Sequence, residues 1–240
     1  MKIKNLIIVI NFLLFSGLLF LSSCDEAIYG SGNIIEETRD VSPFDAIDVS
    51  GAYRVYLYQG DNENLVIETD DNVMEYVRTQ VRGGKLFLDT RYVNFRRTTI
   101  NVHVTVKDLE EIKASGAVKI IGQTPLQLEY LGVNVSGASD VDLEVFADQM
   151  ELKMSGAGKS HLTGEVDKMT IKLSGASKIS AETLWCRAMD IKISGAGSAN
   201  VNVDEKLVVK ISGAGNLRYL GNPNVRSNIS GAGNVSRLKN

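Results

Sequence analysis

Three side chains in successive repeats of this sequence are of the types that together support nucleophilic catalysis. They are Asp142, His161 and Ser180. Intervals of 19 residues separate them, so they lie side by side if the repeats stack. In a hydrolase triad the His takes the proton of the Ser hydroxyl, and the Asp orients the His. The local alternation of polar and apolar residues predicts that this column faces solvent, without a pocket or an oxyanion hole. We therefore interpret it as surface sequence.

Two other charged sets offer binding chemistry. Asp140, Asp142 and Glu144 alternate along one predicted strand and carry the oxygen ligands that Ca²⁺ prefers. The repeat spacing places Lys119 and Lys159 beside Asp140, which favours a solvated charge ladder, and we predict no metal site. A stripe of lysines could hold an anionic polysaccharide: Lys113, Lys153, Lys172, Lys192 and Lys210. Acids two positions upstream neutralise much of the charge of this stripe: Glu111, Glu151 and Asp190.

The segment RYVNFRR, residues 91–97, is the candidate contact loop. It combines three guanidinium groups with two aromatic rings: Arg91, Tyr92, Phe95, Arg96 and Arg97. Aromatic side chains next to arginines are good anchors for a partner surface. The alternative is an ordinary solvated loop.

Composition excludes several classes of function. With 26 basic and 29 acidic residues, the chain has a net charge of −3 and no general basic surface for nucleic acid. Only two cysteines, Cys24 and Cys186, are present, which excludes a zinc site built on cysteines. We interpret Cys186 as buried packing. No Ser-Gly-Ala segment is followed by the helix and Lys-Ser/Thr pair of a phosphate loop, so no cofactor is predicted.

The first residues have the features of an export signal. Two lysines precede an apolar run over residues 6–21, which is shorter than the roughly 20 residues of a membrane span. The run ends in Leu-Ser-Ser-Cys, which resembles the lipobox of bacterial lipoproteins. The sequence thus predicts a signal peptide at 1–23, a tether at 24–32, and acyl chains on Cys24 that hold an exported protein to a membrane of the cell envelope.

The tripeptide Ser-Gly-Ala occurs eight times, and its spacing indicates stacked units. From the second copy onwards the intervals are 18–21 residues, and the serines are Ser50, Ser115, Ser136, Ser155, Ser174, Ser194, Ser212 and Ser230. A period of this length indicates a solenoid. Apolar residues stand three and one positions before most of these serines, with a polar residue between them, which is the alternation of a strand with one wet face.

The repeat therefore predicts an all-β fold, a parallel β-helix or β-solenoid with rungs of 18–21 residues. Glycine permits the sharp bend at each corner, and Ser and Ala are small enough to stack there. Stacked Ser hydroxyls can also hydrogen-bond along the corner. The predicted corner residues are Ser115, Gly116, Ser136, Gly137, Ser155, Gly156, Ser174, Gly175, Ser194, Gly195, Ser212, Gly213, Ser230 and Gly231.

The N-terminal half is predicted to be less regular β-structure with one short helix. The 65-residue interval between Ser50 and Ser115 corresponds to about three turns without the motif. It contains several strand-like runs and a helical candidate over Asp71–Val81, with Asp70 or Asp71 as its cap. We expect this half to cover the open edge of the coil and to share its core, in a single domain over residues 33–240.

Three segments resemble the head GIN domain family of bacterial envelope proteins. They are VSPFDAIDVSGAYRVYLYQGD (41–61), GKLFLDT (84–90) and the Ser-Gly-Ala turns that end in ISGAGNVS (229–236). The resemblance covers about residues 33–238. It implies a β-helical fold and an adhesin-like role, and it implies no catalytic or ligand-binding residues.

The sequence thus favours a non-enzymatic, lipid-anchored envelope protein whose solenoid binds a glycan or a protein at the cell surface. Two alternatives stay open. One is a carbohydrate-active enzyme on a β-helix, similar to polysaccharide lyases and hydrolases, which would need a groove lined by several acids and an aromatic residue. The other is a structural scaffold with a flat polar exterior.

Overall fold

Backbone pairing between successive repeats defines the architecture. The computed structural model describes residues 27–91 and 94–238. One helical turn, α1 (Asp71–Met74), accompanies nineteen strands in this part of the chain. The strands are β1 (Ala27–Tyr29), β2 (Ile34–Thr38), β3 (Ala46–Gly51), β4 (Tyr53–Gln59), β5 (Asn64–Asp70), β6 (Val77–Arg82), β7 (Lys85–Thr90), β8 (Asn94–Arg96), β9 (Ile100–Val106), β10 (Glu111–Gly116), β11 (Lys119–Gly122), β12 (Leu126–Gly137), β13 (Asp140–Gly156), β14 (Lys159–Gly175), β15 (Lys178–Gly195), β16 (Ser198–Gly213), β17 (Asn216–Leu220), β18 (Asn224–Gly231) and β19 (Asn234–Arg237).

The repeats stack as parallel turns, which confirms the β-solenoid. Each of β12–β16 pairs in parallel with the strand one repeat earlier, and β17–β19 continue the coil. All eight motif serines lie in one column, from the pair Ser50–Ser115 to the pair Ser212–Ser230. The tripeptides are therefore equivalent corners of successive turns.

The inward positions of the alternation form the core. One column three residues before the motif serine is at most 2% exposed in six successive turns: Ile112, Val133, Leu152, Ile171, Ile191 and Val209. Burial of an aliphatic side chain of this size contributes about 1.5–3 kcal/mol. The buried cluster extends from Phe44 to Leu217, so the N-terminal half and the coil share a core as predicted.

The corner is held together by backbone hydrogen bonds between turns. At six successive corners, from Ala117 to Ala214, the Ala amide donates to the Gly carbonyl one turn earlier; for example, Ala157 N donates to Gly137 O at 3.0 Å and Ala176 N to Gly156 O at 2.9 Å. The corner glycines have positive φ, +108° at Gly156, and a Cβ on Gly156 would stand 2.2 Å from Gly137 O. Both the φ angle and the close approach of the neighbouring turn therefore require glycine.

The motif serines contribute less than we expected from stacked hydroxyls. Ser115 Oγ donates to Ser50 Oγ at 3.0 Å, and Ser136 Oγ reaches Ala114 O at 3.5 Å. The later motif serines of the described chain make no such bond, so the hydroxyl contacts that stacking permits form at the first corners. In the middle turns, small buried residues two positions beyond the corner glycine fill the inside of the bend, including Ser139, Gly158 and Ser177.

The 65-residue interval leaves the coil after Ser50 and returns to the adjacent level at Ser115. The prediction of three turns was therefore wrong. Ser50 pairs directly with Ser115, because β3 and β10 are adjacent. The intervening chain runs to the other side of β3 and β4, where β7 and β9 add a further parallel level. Antiparallel strands then close this end: β6 pairs with β7, β5 pairs with β9, and β2 pairs with β5. The N-terminal half thus covers the edge of the coil as expected.

The helix predicted over Asp71–Val81 is much shorter, because α1 ends at Met74 and β6 begins at Val77. Val73, Met74 and Val77 are buried as the helical pattern required, but Val77 belongs to a strand paired with β7. Asp70 occupies the N-cap position without capping the helix. Its carboxylate instead accepts hydrogen bonds from Gly32 N at 2.7 Å and Thr98 Oγ1 at 2.5 Å.

Part of the segment assigned to the tether lies on the domain. The strand β1 pairs in parallel with β8, which opposes Ile28 to Phe95. Ser31 Oγ then donates to Asp71 Oδ1 at 2.6 Å. The domain's contacts therefore begin at Ala27 within the described chain, and Cys24 lies outside the described residues.

We expect Gly156→Ala to lower the free energy of unfolding by at least about 2 kcal/mol, because the new Cβ meets the carbonyl of the preceding turn and φ is unfavourable. The neighbouring change Ser155→Ala, at an exposed residue, should stay within about 0.5 kcal/mol of wild type. Chemical denaturation followed by circular dichroism measures both. Equal effects of the two changes would contradict the role assigned to the corner glycine.

Candidate functional site

An open groove of about 1050 Å³ crosses the side of the coil formed by the middle parts of β12–β14. Loops of the N-terminal half complete its walls. Eight of its lining residues are acidic: Asp45, Glu63, Asp108, Glu110, Glu129, Asp148, Glu165 and Asp167. Apolar residues complete much of the lining, among them Phe44, Leu109, Leu128 and Ala147.

The groove concentrates the negative charge of the chain. Within residues 27–91 and 94–238, its lining includes no Lys or Arg. Setting the eight groove acids aside leaves 26 basic against 21 acidic residues in the whole sequence. The remainder of the protein is therefore net positive, although the chain as a whole is net negative. A concave wall of one sign of charge focuses the electrostatic field on whatever enters it.

The register of the coil stacks three of the groove acids in one column. Glu129 lies between residues paired with Ala147 and Gln149, which places it level with Asp148. By the same register, Asp148 is level with Asp167 one turn further on. Neighbouring strands are about 4.8 Å apart, so the column brings like charges close together.

Arg187 ends this column and neutralises its last acid. Its guanidinium donates to Asp167 through Nε and through Nη2, the latter at 2.9 Å, and Nη1 donates to Glu205 at 3.1 Å. The hydrogen bonds from Arg187 hold the pKa of Asp167 below its ordinary value of 3.8. A carboxyl with a lowered pKa stays ionised, whereas the general acid of a glycosidase requires a raised pKa.

Aromatic residues stand among the acids. Tyr130 lines the groove and is 43% exposed, and Phe146 beside it is half-buried. Phe146 pairs with Glu165, and Glu165 pairs with Trp185, which is 37% exposed. The groove thus joins broad apolar contact surface to fixed negative charge, which is a suitable arrangement for holding a ligand.

The predicted contact loop lies away from this groove, beside β1. Arg91, Arg96 and Arg97 are exposed, and Arg97 has an unusual φ of +52°. The Phe95 ring packs edge-on against Tyr76 at 5.8 Å and contacts the core, so it is only partly available to a partner. Tyr92 lies outside the described residues.

The Asp142–His161–Ser180 column is in register as the spacing predicted. Asp142 and His161 are exposed and Ser180 is half-buried, on a different segment of the turn from the groove. Asp140 lies between Lys119 and Lys159, and its Oδ1 accepts a hydrogen bond from Lys159 N at 3.1 Å, in agreement with the predicted charge ladder.

The lysine stripe is neutralised as expected in its first turns. Glu111 forms ion pairs with Lys85 at 2.6 Å and Lys113 at 3.2 Å, and these hydrogen bonds lower the pKa of Glu111. Glu151 likewise pairs with Lys153 and Lys172, at 2.9 Å and 2.8 Å. Among the described residues no three His, Cys, Asp or Glu side chains are grouped to hold a metal ion.

Sequence reasoning missed the groove, although one signal for it was present. The spacings from Glu129 to Asp148 and from Asp148 to Asp167 are both 19 residues, the same as in the Asp–His–Ser column. Glu165 lies on β14, whereas the other four acids come from loops at separate points of the N-terminal half, whose position depends on the path of the chain between β3 and β10. In the described part of the chain, no helix is long and apolar enough to cross a membrane.

The model of one protein family matches residues 43–223, over most of the repeat and the N-terminal half. Its description reads "Putative auto-transporter adhesin, head GIN domain". The chain belongs to the head GIN domain family. Membership in this adhesin-domain family implies a protein of the cell surface. A comparison with curated proteins gives no match.

Solved structures share the fold of this head GIN domain. A "putative adhesin" from Bacteroides fragilis has a TM-score of 0.83 at 22% identity and covers 88% of this chain and 100% of its own. A "putative lipid binding protein" from Parabacteroides distasonis has a TM-score of 0.77 at 23% identity, covering 89% and 100%. A "putative adhesin" from Parabacteroides merdae has a TM-score of 0.70 at 23% identity, covering 89% and 99%. None of these names supports the enzyme alternative.

We expect Arg187→Gln to raise the pKa of Asp167 towards 3.8, because the hydrogen bonds from Arg187 are the main cause of its depression. A carbon-detected NMR titration of the carboxyl measures this. Since the folded pKa is below the unfolded value, the wild-type pair stabilises the fold above about pH 4 and loses this contribution as pH falls through the folded pKa. Thermal unfolding of the variant should therefore depend less on pH below about 4. An unchanged Asp167 titration would contradict the assignment.

Proposed function

We propose that this head GIN domain protein is a non-enzymatic, exported protein of the cell envelope, anchored by acyl chains on Cys24, whose solenoid binds surface ligands through the acidic groove. The observation that carries the proposal is the groove, where Tyr130 and Phe146 stand among eight carboxylates. The family description and the adhesin names of the structural relatives support a binding role. The apolar run before Cys24 supports export and anchoring.

The register at the N-terminal end constrains how an anchor on Cys24 would hold the domain. Ala27 pairs with Asn94 in β8. Cys24 precedes Ala27 by three residues, which span at most about 10 Å when extended. An anchor there would keep β8 and the arginines of the contact loop close to the membrane surface. We therefore propose that this loop contacts lipid headgroups and leaves the groove free for other ligands, which also fits the lipid-binding name of one relative.

The carboxylates of the groove favour binding over hydrolysis. Six of the eight acidic residues are exposed. Asp167, which is half-buried, has a lowered pKa and stays ionised near neutral pH. A catalytic pair requires one carboxyl kept protonated near neutral pH, and Asp167 does not meet this requirement.

Replacement of Cys24 by Ser should release the protein from the membrane fraction, because it removes the thioether site of the acyl chains. Metabolic labelling with a fatty-acid analogue and fractionation of the cells measure the two effects. The full chain should label and sediment with membranes, and C24S should do neither. Labelling of C24S at the wild-type level would exclude the anchor.

Tyr130→Ala should reduce adherence of cells that display the full chain to glycan and matrix-protein arrays by about fivefold or more, as expected of an aromatic contact residue. Tyr29→Ala is the matched control, because Tyr29 is 59% exposed and lies in β1 beside the contact loop. An equal decrease in both variants would remove the groove as the contact surface. No adherence of the wild type to any surface would favour the scaffold alternative.

A further inference from the structure

The three stacked carboxylates of the groove are incompletely neutralised by the protein itself. Glu129, Asp148 and Asp167 occupy successive levels of one column. Like charges opposite each other on neighbouring strands repel. Arg187 pairs with Asp167, at the end of the column, whereas Glu129 and Asp148 have no ion pair among the described residues.

Two other acids of the same coil are neutralised by ion pairs. Glu111 and Glu151 each form ion pairs with two lysines. The groove column departs from this arrangement at the place where the surface is concave.

The distribution of these charges indicates the spacing of the positive charges that a ligand would carry. Glu129 to Asp167 spans two strand spacings, about 10 Å, and Asp45 and Glu110 lie on further walls of the groove. Among the residues that the structure describes, no three such side chains converge as ligands of one metal ion. Charges spread over this distance fit several cations held along an extended chain better than they fit one ion.

The apolar part of the lining indicates that a ligand would also carry apolar groups. Phe44, Leu128 and Phe146 line the groove between the acids. An extended peptide places successive side chains on opposite sides, about 3.3 Å apart along the chain. About four residues therefore match the length of about 10 Å that the three stacked levels provide.

We propose that the groove binds an extended, cationic peptide segment of a partner protein, in which Lys or Arg residues pair with Glu129 and Asp148 and apolar residues contact Phe146. This inference rests on the proposed function, because it takes the groove as the contact surface. Charge complementarity gives such a complex a fast, salt-dependent association.

The full chain, as purified from its expression host, is titrated with a fluorescent peptide of five alternating Lys and Leu residues. Alternating Glu–Leu and Ser–Leu peptides are the comparison probes. Binding of the Lys–Leu peptide should weaken as the salt concentration rises from about 20 to 300 mM. The double variant Glu129→Gln/Asp148→Asn should bind it about fivefold more weakly, through loss of two charge pairs.

A matched control removes the same charge from another face. Asp142→Asn/Glu144→Gln changes two exposed acids of β13 outside the groove, and it should leave the affinity within about twofold of wild type. Absence of Lys–Leu binding, an equal loss in both double variants, or equal binding of the Glu–Leu peptide would each overturn the proposal. Adherence that depends on Tyr130 would then still stand, so a failure here is distinct from a failure of the groove as contact surface.

A second readout requires no ligand. Because Glu129 and Asp148 repel each other, their double variant should be at least as stable to heat as the wild type at low salt, and this difference should shrink as salt is added. A variant that unfolds at a lower temperature than the wild type would show that the column is compensated and would contradict the premise of the proposal.

Discussion

The hydrogen bond from the corner Ala amide to the Gly carbonyl of the preceding turn, repeated from Ala117 to Ala214, is the constraint on which the structure depends. It brings the backbones of successive turns so close that no Cβ fits at the corner; on Gly156 a Cβ would stand 2.2 Å from the neighbouring carbonyl oxygen. Because the same bond recurs at successive corners, with distances near 2.9 Å, each turn begins in register with the one before it. The core columns follow from that register, since each apolar position lies directly above its equivalent.

A fixed register also stacks the outward-facing side chains of successive turns, including the charged ones. On the lysine-rich face it produces ion pairs between turns, as between Lys172 and Glu151. On the groove side it produces a column of carboxylates with one arginine at its end. The fold thus converts a 19-residue spacing of acids into a localised field, and the acidic column of the groove follows from the same geometry that makes the coil.

The N-terminal half ends the coil by changing strand direction. A parallel solenoid leaves a row of unpaired amides and carbonyls on its terminal turn, which can recruit other strands. Here β7 and β9 add one parallel level, and antiparallel β5 and β6 then pair with them. Loops of this half contribute Asp45, Glu63 and Asp108 to the groove. Closing the edge and building one wall of the site are therefore done by the same segment.

The sequence by itself determined the coil, because local alternation and the period of Ser-Gly-Ala report directly on strands and on turns of constant length. It likewise determined which residues share a column after Ser115, including the Asp142–His161–Ser180 set. Tertiary structure alone decided that Ser50 stacks on Ser115, that Val77 belongs to a strand, and that distant acids meet in a groove. The reason is that a repeat carries its own register, whereas the path of a non-repeating segment depends on contacts with strands far away along the chain.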